Sequence, residues 1–415
     1  MIHLNKLSRF CCAATIAALS ICTAPAALAQ VKIAVIDPMS GPFANFGENS
    51  LKHLQAAVDA INAKGGVLGG QKLEIVPIDG KGSAQDSVSA LQSAMGQGIR
   101  FVVSSGSNVV TALVNAANKT AERDPGKSFL VLNYAAADPD ETNSACSFWN
   151  FRFYPDSDMQ MNALTDVLAA DKAVKKVYII GADYSFGHQV SRAAKEMIAK
   201  KRPDVHIVGD AMHPYGTVKD FAPYVTRIKE SGADTVITGN FGNDLVLLIR
   251  AAKDIGLNVK FYTYFGGNLG VPDAIGTAGI DRVITLSGWH PNVGNNKTHA
   301  YAVDFKKKYG ADFFYLRMNT MMDMLAKAID DAHSADPVKV GRALEGMNIV
   351  SDTGEVHMRK INHQLLMPMY VWSYAKLDGK KVKYQLEGSG VGTKTLLMVS
   401  AKQSEMPTTC KMQRP

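Results

Sequence analysis

From Val31 the chain alternates short runs of β-branched and other apolar residues with stretches where apolar positions recur every three or four residues. The first pattern reads as buried strand and the second as amphipathic helix. Val31–Ile36 is the first strand, and Ser50–Ala63 the first helix, with Leu51, Leu54, Ala57, Val58 and Ile61 on one face. Gly65-Gly66 then supplies a left-handed helix stop. Strands follow at Leu73–Ile78, Phe101–Ser104 and Phe129–Asn133, separated by helices over Ser87–Met95 and from Asn108, read as N-cap, to about Thr120. Repeated β-α-β units of this kind build a parallel sheet with helices on both faces.

After an irregular stretch, Ala135–Pro155, the rhythm repeats: strands at Lys176–Ile180, Val205–Gly209, Thr235–Gly239 and Lys260–Tyr264 alternate with helices at Gly187–Lys201, Val218–Ser231 and Asn243–Ile255. Two similar doubly wound halves predict an α/β protein of two lobes with a cleft between them. Beyond Pro272 come a strand at Val283–Leu286 and helices around Thr298–Tyr309, Asn319–His333 and Pro337–Glu345. An antiparallel pair is predicted at Pro368–Ala375 and Lys381–Gln385, turning at Asp378-Gly379. This last portion has to complete the first two, so the connection between lobes is crossed more than once.

The composition, 47% hydrophobic and 20% charged over 415 residues, is that of a folded chain of two or three domains rather than a disordered one. Residues 1–29 read as an export signal: Lys6 and Arg9 are the positive region, Cys11 to Cys22 the apolar stretch, and Ala27-Leu28-Ala29 the cleavage site. Leu19-Ser20-Ile21-Cys22 partly resembles a lipidation signal, with Ile21 where a small residue belongs. Elsewhere no charge-free apolar run is long enough to cross a membrane. Losing the signal lowers the formal charge from +7 to +5, too mild and scattered to imply nucleic acid. It also removes three of the five cysteines, and in an oxidising compartment the remaining Cys146 and Cys410 are expected to pair.

In doubly wound sheets ligands sit beyond the carboxyl ends of the strands, among loops and helix N-termini. Those places here are small, amide and aromatic: Met39–Gly47, Ser104–Val109, Tyr134–Ala137, Asp183–Gly187, Asn240–Asn243 and Phe265–Gly267. Ser104-Ser105-Gly106-Ser107-Asn108 suits a carboxylate through N–H groups at a helix start, or is a capping loop that binds nothing. Phe46, Phe186, Phe241 and Phe265 each follow a different strand and converge on one aromatic-lined pocket, although any one alone fits a lobe core. Catalytic, metal and cofactor patterns fail. Gly388–Gly392 is a flexible loop, since Thr393 replaces the last glycine of a dinucleotide fingerprint. There is no phosphate loop, nucleophile elbow or zinc spacing, and Asp183, Asp244 and His188 lie near cleft loops where surface polar residues with no paired acid/base partner are the default.

These residues resemble the leucine/isoleucine/valine-binding proteins of bacterial ABC importers, the type I periplasmic binding proteins. The resemblance lies in Val31–Ile36 followed by Met39-Ser40-Gly41-Pro42 and Phe46-Gly47, in Asp59–Gly66 before Gly69-Gly70, in Lys219-Asp220-Phe221, in Gly232-Ala233-Asp234 and in Arg250–Leu257. It spans Val31 to about Tyr384 and implies lobe 1 from 30–155 and 287–367, lobe 2 from 156–286 and 368–395, and a tail at 396–415. Carried over, the family's ligand contacts fall on Phe46, Asn108, the backbone at Ala135, and the wall positions Phe186 and Phe241. The threonine and glutamate that hold an amino acid's ammonium correspond to Ala137 and Phe265. No Asp or Glu occurs from Ile255 to Pro272, so the departure survives a slip of a residue.

The implied function is that of a periplasmic, monomeric receptor for a small organic carboxylate, without cofactor or metal, serving the membrane permease subunits of an importer. The carboxylate is expected at Asn108 and at the N–H groups of Ser107 and Ala135, held by fixed dipoles rather than by a cationic side chain. Leucine or another branched-chain amino acid is the alternative ligand. A signalling sensor or an enzyme on the same fold is the alternative class.

Overall fold

The computed structural model describes Met1 and residues 30–415, so the export signal falls outside the described residues. The first lobe is built by β1 (Val31–Asp37), α1 (Ala44–Ala63), β2 (Leu73–Asp79), α2 (Ala84–Gly96), β3 (Phe101–Ser104), α3 (Ser107–Arg123), β4 (Leu130–Asn133) and β5 (Asn150–Arg152). Its strands pair in parallel in the order β2-β1-β3-β4-β5. Ile33 to Ile36 are fully buried, as expected of a parallel strand covered on both faces. On α1 the face Leu54, Ala57, Val58 and Ile61 is buried against this sheet.

The second lobe follows: α4 (Ser157–Ala170), β6 (Lys176–Ala182), α5 (Ser185–Lys201), β7 (His206–His213), α6 (Ala222–Glu230), β8 (Thr235–Thr238), α7 (Gly242–Asp254), β9 (Lys260–Thr263), α8 (Val271–Ile275) and β10 (Val283–Ser287). The chain then adds α9 (Asn296–Tyr309), α10 (Leu316–Asp331), α11 (Pro337–Leu344) and a small antiparallel sheet of β11 (Asn348–Ser351), β12 (Gly354–Met358) and β13 (Leu365–Leu366). It finishes with β14 (Met369–Ala375), β15 (Gln385–Leu386) and β16 (Val391–Val399), which extend the second sheet to β15-β16-β14-β10-β9-β8-β6-β7. Both sheets therefore reverse direction at one point, between β1 and β3 and between β6 and β8, as doubly wound sheets do. The expectation of two such lobes joined by several crossovers is borne out.

Glycine lets the helix that follows each lobe's first strand approach that strand's end. A Cβ on Gly47 would lie 2.0 Å from the Pro38 carbonyl oxygen, and one on Gly187 1.9 Å from that of Ala182. These matching contacts bring the starts of α1 and α5 down onto the strand ends.

Several elements differ from the sequence reading. Gly106, at φ 79°, is the N-cap of α3, and Asn108 lies inside its first turn. β14 pairs antiparallel with β10 and β16, not with Lys381–Gln385. Asp378 Oδ1 instead accepts from the N–H groups of Lys380 and Val382, closing a local turn. Gly388–Gly392 is not a free loop: Gly388 and Gly390 turn β15 into β16, and Val391 and Gly392 are in the strand. Cys146 and Cys410 are joined, with Cα atoms 5.7 Å apart, fastening the C-terminal segment to the loop before β5.

Candidate functional site

The ends of β1, β3 and β4 face those of β6, β8 and β9 across a cleft. All eight residues expected there line it: Phe46, Ser107, Asn108, Ala135 and Ala137 on the first-lobe side, and Phe186, Phe241 and Phe265 opposite. Three further aromatic residues join them, Phe43 and Tyr184 from the loops Met39–Gly47 and Asp183–Gly187 marked in the sequence and Tyr215 from outside any marked loop, together with Asn268 and Arg317.

The helices opening at the cleft explain its polar character. α3, α5 and α7 start from Gly106, Tyr184 and Phe241, none of which caps its helix with a side chain. By contrast α2, α4, α9 and α11 are capped by Ser83, Asp156, Asn295 and Asp336. First-turn N–H groups have no intrahelical acceptor, so uncapped starts present donors and a positive dipole end. Ser107 Oγ accepts from the Asp138 N–H at 3.3 Å, and Asn108 Nδ2 donates to the Gly82 carbonyl at 3.4 Å, which holds the α3 entry in place. The Ala135 N–H, expected to be free for a carboxylate, donates to Asn133 Oδ1 at 3.2 Å. The short polar side chain closing β4 takes that donor for its own turn.

Below this loop Asp37, at the end of β1, is buried and accepts from Ser105 Oγ at 2.6 Å and from the Tyr134 hydroxyl. Burial pushes its carboxyl up to about 7, against the opposing pull of the Ser105 and Tyr134 hydrogen bonds.

The rings form a nearly continuous wall. Phe43 stacks on Phe241 at 4.8 Å between centroids and lies 5.2 Å from Tyr215, so a first-lobe residue touches the second lobe and the cleft is closed on that side. Phe265 stands 5.7 Å from both Phe186 and Phe241, and Tyr184 lies 4.6 Å from Tyr215. Phe46 faces them from a separate group, 6.1 Å from Tyr134 and 6.0 Å from Tyr315. Such offset and edge-on arrangements accept an apolar or planar body without strong directional demand.

The charge balance is one-sided. Among the described residues no Asp or Glu lines the cleft, whereas Arg317, the second residue of α10, does. Arg317 is 9% exposed, its Nε donates to the Tyr134 carbonyl at 2.8 Å, and its guanidinium lies 4.6 Å from the Tyr315 ring centre and 4.7 Å from that of Tyr154. The expectation that dipoles alone face the ligand is thus corrected, because the chain returning from the second lobe brings a cation to the cleft floor. The available signal was a lone charge inside the apolar run Phe313–Met318. Among the described residues no group of acidic, histidine and cysteine side chains could hold a metal ion.

The comparisons agree with this architecture. A family described as periplasmic binding protein matches residues 30–380. A Leu/Ile/Val-binding protein homolog 4 from Brucella abortus is 28% identical over 96% of this chain and 97% of its own length. The closed conformation of a leucine-, isoleucine-, valine-, threonine-, and alanine-binding protein from Brucella ovis superposes with a TM-score of 0.83 at 26% identity, covering 93% of this chain and 100% of that one. An ABC transporter solute binding protein from R. palustris, in complex with 4-hydroxybenzoate, shares the fold at a TM-score of 0.76 and 22% identity, over 89% of this chain and 97% of that one. With the match running through both sheets and the cleft between them, the chain belongs to the periplasmic binding protein family, a family of receptors rather than enzymes, beside the Leu/Ile/Val-binding proteins.

Proposed function

We propose that this receptor captures a small carboxylate with an apolar or aromatic body and no ammonium group, and presents it to the permease subunits of an ABC importer from the periplasm, acting as a monomer. The observation that carries the reading is the lining of the cleft, which among the described residues has seven aromatic side chains and no acidic one. An ammonium enclosed there loses charged hydrogen bonds worth about 1.5–3 kcal/mol each, besides its hydration. A carboxylate meets the uncapped start of α3 on the first-lobe side, while the rings of Phe186, Phe241 and Phe265 take its body. Lobe closure around such a ligand selects the closed form, which the importer then reads.

The 4-hydroxybenzoate held by the R. palustris protein supports an aromatic carboxylate on this fold. The names of the Brucella relatives favour the second reading, a branched-chain amino acid. Thermal unfolding with benzoate, 4-hydroxybenzoate, phenylpyruvate and hexanoate beside the common amino acids separates the two. At least one carboxylate without an ammonium is expected to stabilise the protein, by about 2.7 kcal/mol at 100 times its Kd. Stabilisation by amino acids alone would overturn the proposal.

A further inference from the structure

We infer that Arg317 is the ionic partner of the ligand's carboxylate and the residue that makes the receptor select anions over neutral molecules of the same shape. This rests on the carboxylate reading above and adds to it a specific residue and a mechanism of selection.

The case begins with an imbalance. A guanidinium removed from water without a counter-ion is costly, so buried arginines are nearly always paired. The other deeply buried arginines obey this rule: Arg152 lies 3.2 Å from Asp156, and Arg202 pairs with Asp204 at 2.7 Å. Arg317 has no carboxylate partner among the described residues, although it is 9% exposed. Its Nε is held by the Tyr134 carbonyl, and the Tyr315 and Tyr154 rings pack against the guanidinium. These contacts fix the position of the group and compensate its charge only in part. The two terminal nitrogens donate to no acceptor among the described residues, and the residue lines the cleft. A planar fork with two free donors matches a carboxylate in a bidentate pair, a geometry that lysine's point charge cannot reproduce.

Position adds a second reason. Tyr154 lies between β5 and α4, where the chain leaves the first lobe for the second, and Tyr134 also donates to Asp37. A ligand that neutralises Arg317 therefore acts where the lobes are joined. The carboxylate would sit at the first-lobe floor, with the body directed at Phe186, Phe241 and Phe265.

The test is calorimetry of benzoate, 4-hydroxybenzoate and phenylpyruvate, with their primary amides, against the unaltered protein and against Arg317→Met, Arg317→Gln and Arg317→Lys. Using two neutral variants keeps the test open if one of them does not fold. The carboxylate that binds best is expected to lose about 10- to 100-fold in affinity on neutral replacement, with its amide changing less than threefold, and Arg317→Lys falling between. If a neutral variant binds the carboxylate as tightly as the unaltered protein does, the assignment of Arg317 fails and the carboxylate reading stands. Equal losses for acid and amide mean that Arg317 only shapes the cleft, which also overturns the assignment. If the unaltered protein binds neither these three acids nor hexanoate, the carboxylate reading and the role of Arg317 fall together.

Discussion

Asp37 shows how one buried group ties the cleft to the stability of the fold. Its carboxyl, pushed up to about 7 by burial, holds a proton in the folded protein that the unfolded chain releases near pH 4. Between those values the folded state binds more protons, so this group's contribution to stability falls as pH rises from about 4 to 7 and is level above. His53 and His290 act in the opposite sense. Burial lowers both to about 3, so they favour the folded state above pH 6.5 and this contribution is lost as pH falls towards 3. Denaturant unfolding of Asp37→Asn across pH 4 to 7.5 isolates the first effect. The variant is expected to gain on the unaltered protein progressively through that window, by up to a few kcal/mol, and parallel curves would contradict the account.

At the scale of elements, Arg152 on β5 joins segments that meet at the crossovers. Its Nε donates to Gln364 Oε1 at 2.6 Å, its guanidinium also reaches the Asp138 carbonyl and Thr142 Oγ1, and Gln364 in turn donates to the Tyr154 carbonyl at 2.9 Å. Glu141 Oε2 lies 3.7 Å away, and burial raises the Glu141 carboxyl well above its usual range. Arg152→Ala leaves these groups unpaired and is expected to cost about 3–5 kcal/mol in urea unfolding at pH 7. A loss under about 1 kcal/mol would show that the crossovers are held by other contacts.

How much of this was legible in the sequence depended on how far each element carries its own signal. Buried parallel strands such as Phe101–Ser104 read directly as apolar runs, and the cleft followed from where those strands end. β5 has three residues, two of them polar, and is defined by pairing with β4 rather than by a pattern. α4 is missing from the sequence reading although Asp156 caps it and Met161, Leu164 and Leu168 have helical spacing. Arg317 and Tyr215 reach the cleft only through tertiary structure, one from α10 and the other from the segment after β7; the lone charge in Phe313–Met318 marks Arg317 as unusual without placing it at the cleft, and nothing local marks Tyr215.

At the scale of the molecule, the lobes meet along a seam of aromatic rings. Phe43 reaches across to Phe241 and Tyr215, and Asn45 Nδ2 lies 3.5 Å from the Leu269 carbonyl. Behind the first lobe the tail is fixed by the disulfide and by Arg414 donating to Glu345, which also pairs with His363 at 3.0 Å. Burial opposes ionisation of Glu345, yet the His363 and Arg414 hydrogen bonds bring its carboxyl down to about 2. A fastened back and an aromatic front suit a receptor whose ligand completes the closure, and under the proposed function the lack of an acidic side chain among the described cleft residues selects a ligand without an ammonium. The most direct measurement is calorimetry with leucine and 4-methyl-2-oxopentanoate, two ligands that share a carboxylate and an isobutyl body and differ in the ammonium. The account predicts that the oxo acid binds more tightly by at least about tenfold, since only leucine must bury an ammonium without an acceptor. Submicromolar binding of leucine with none of the oxo acid would contradict it.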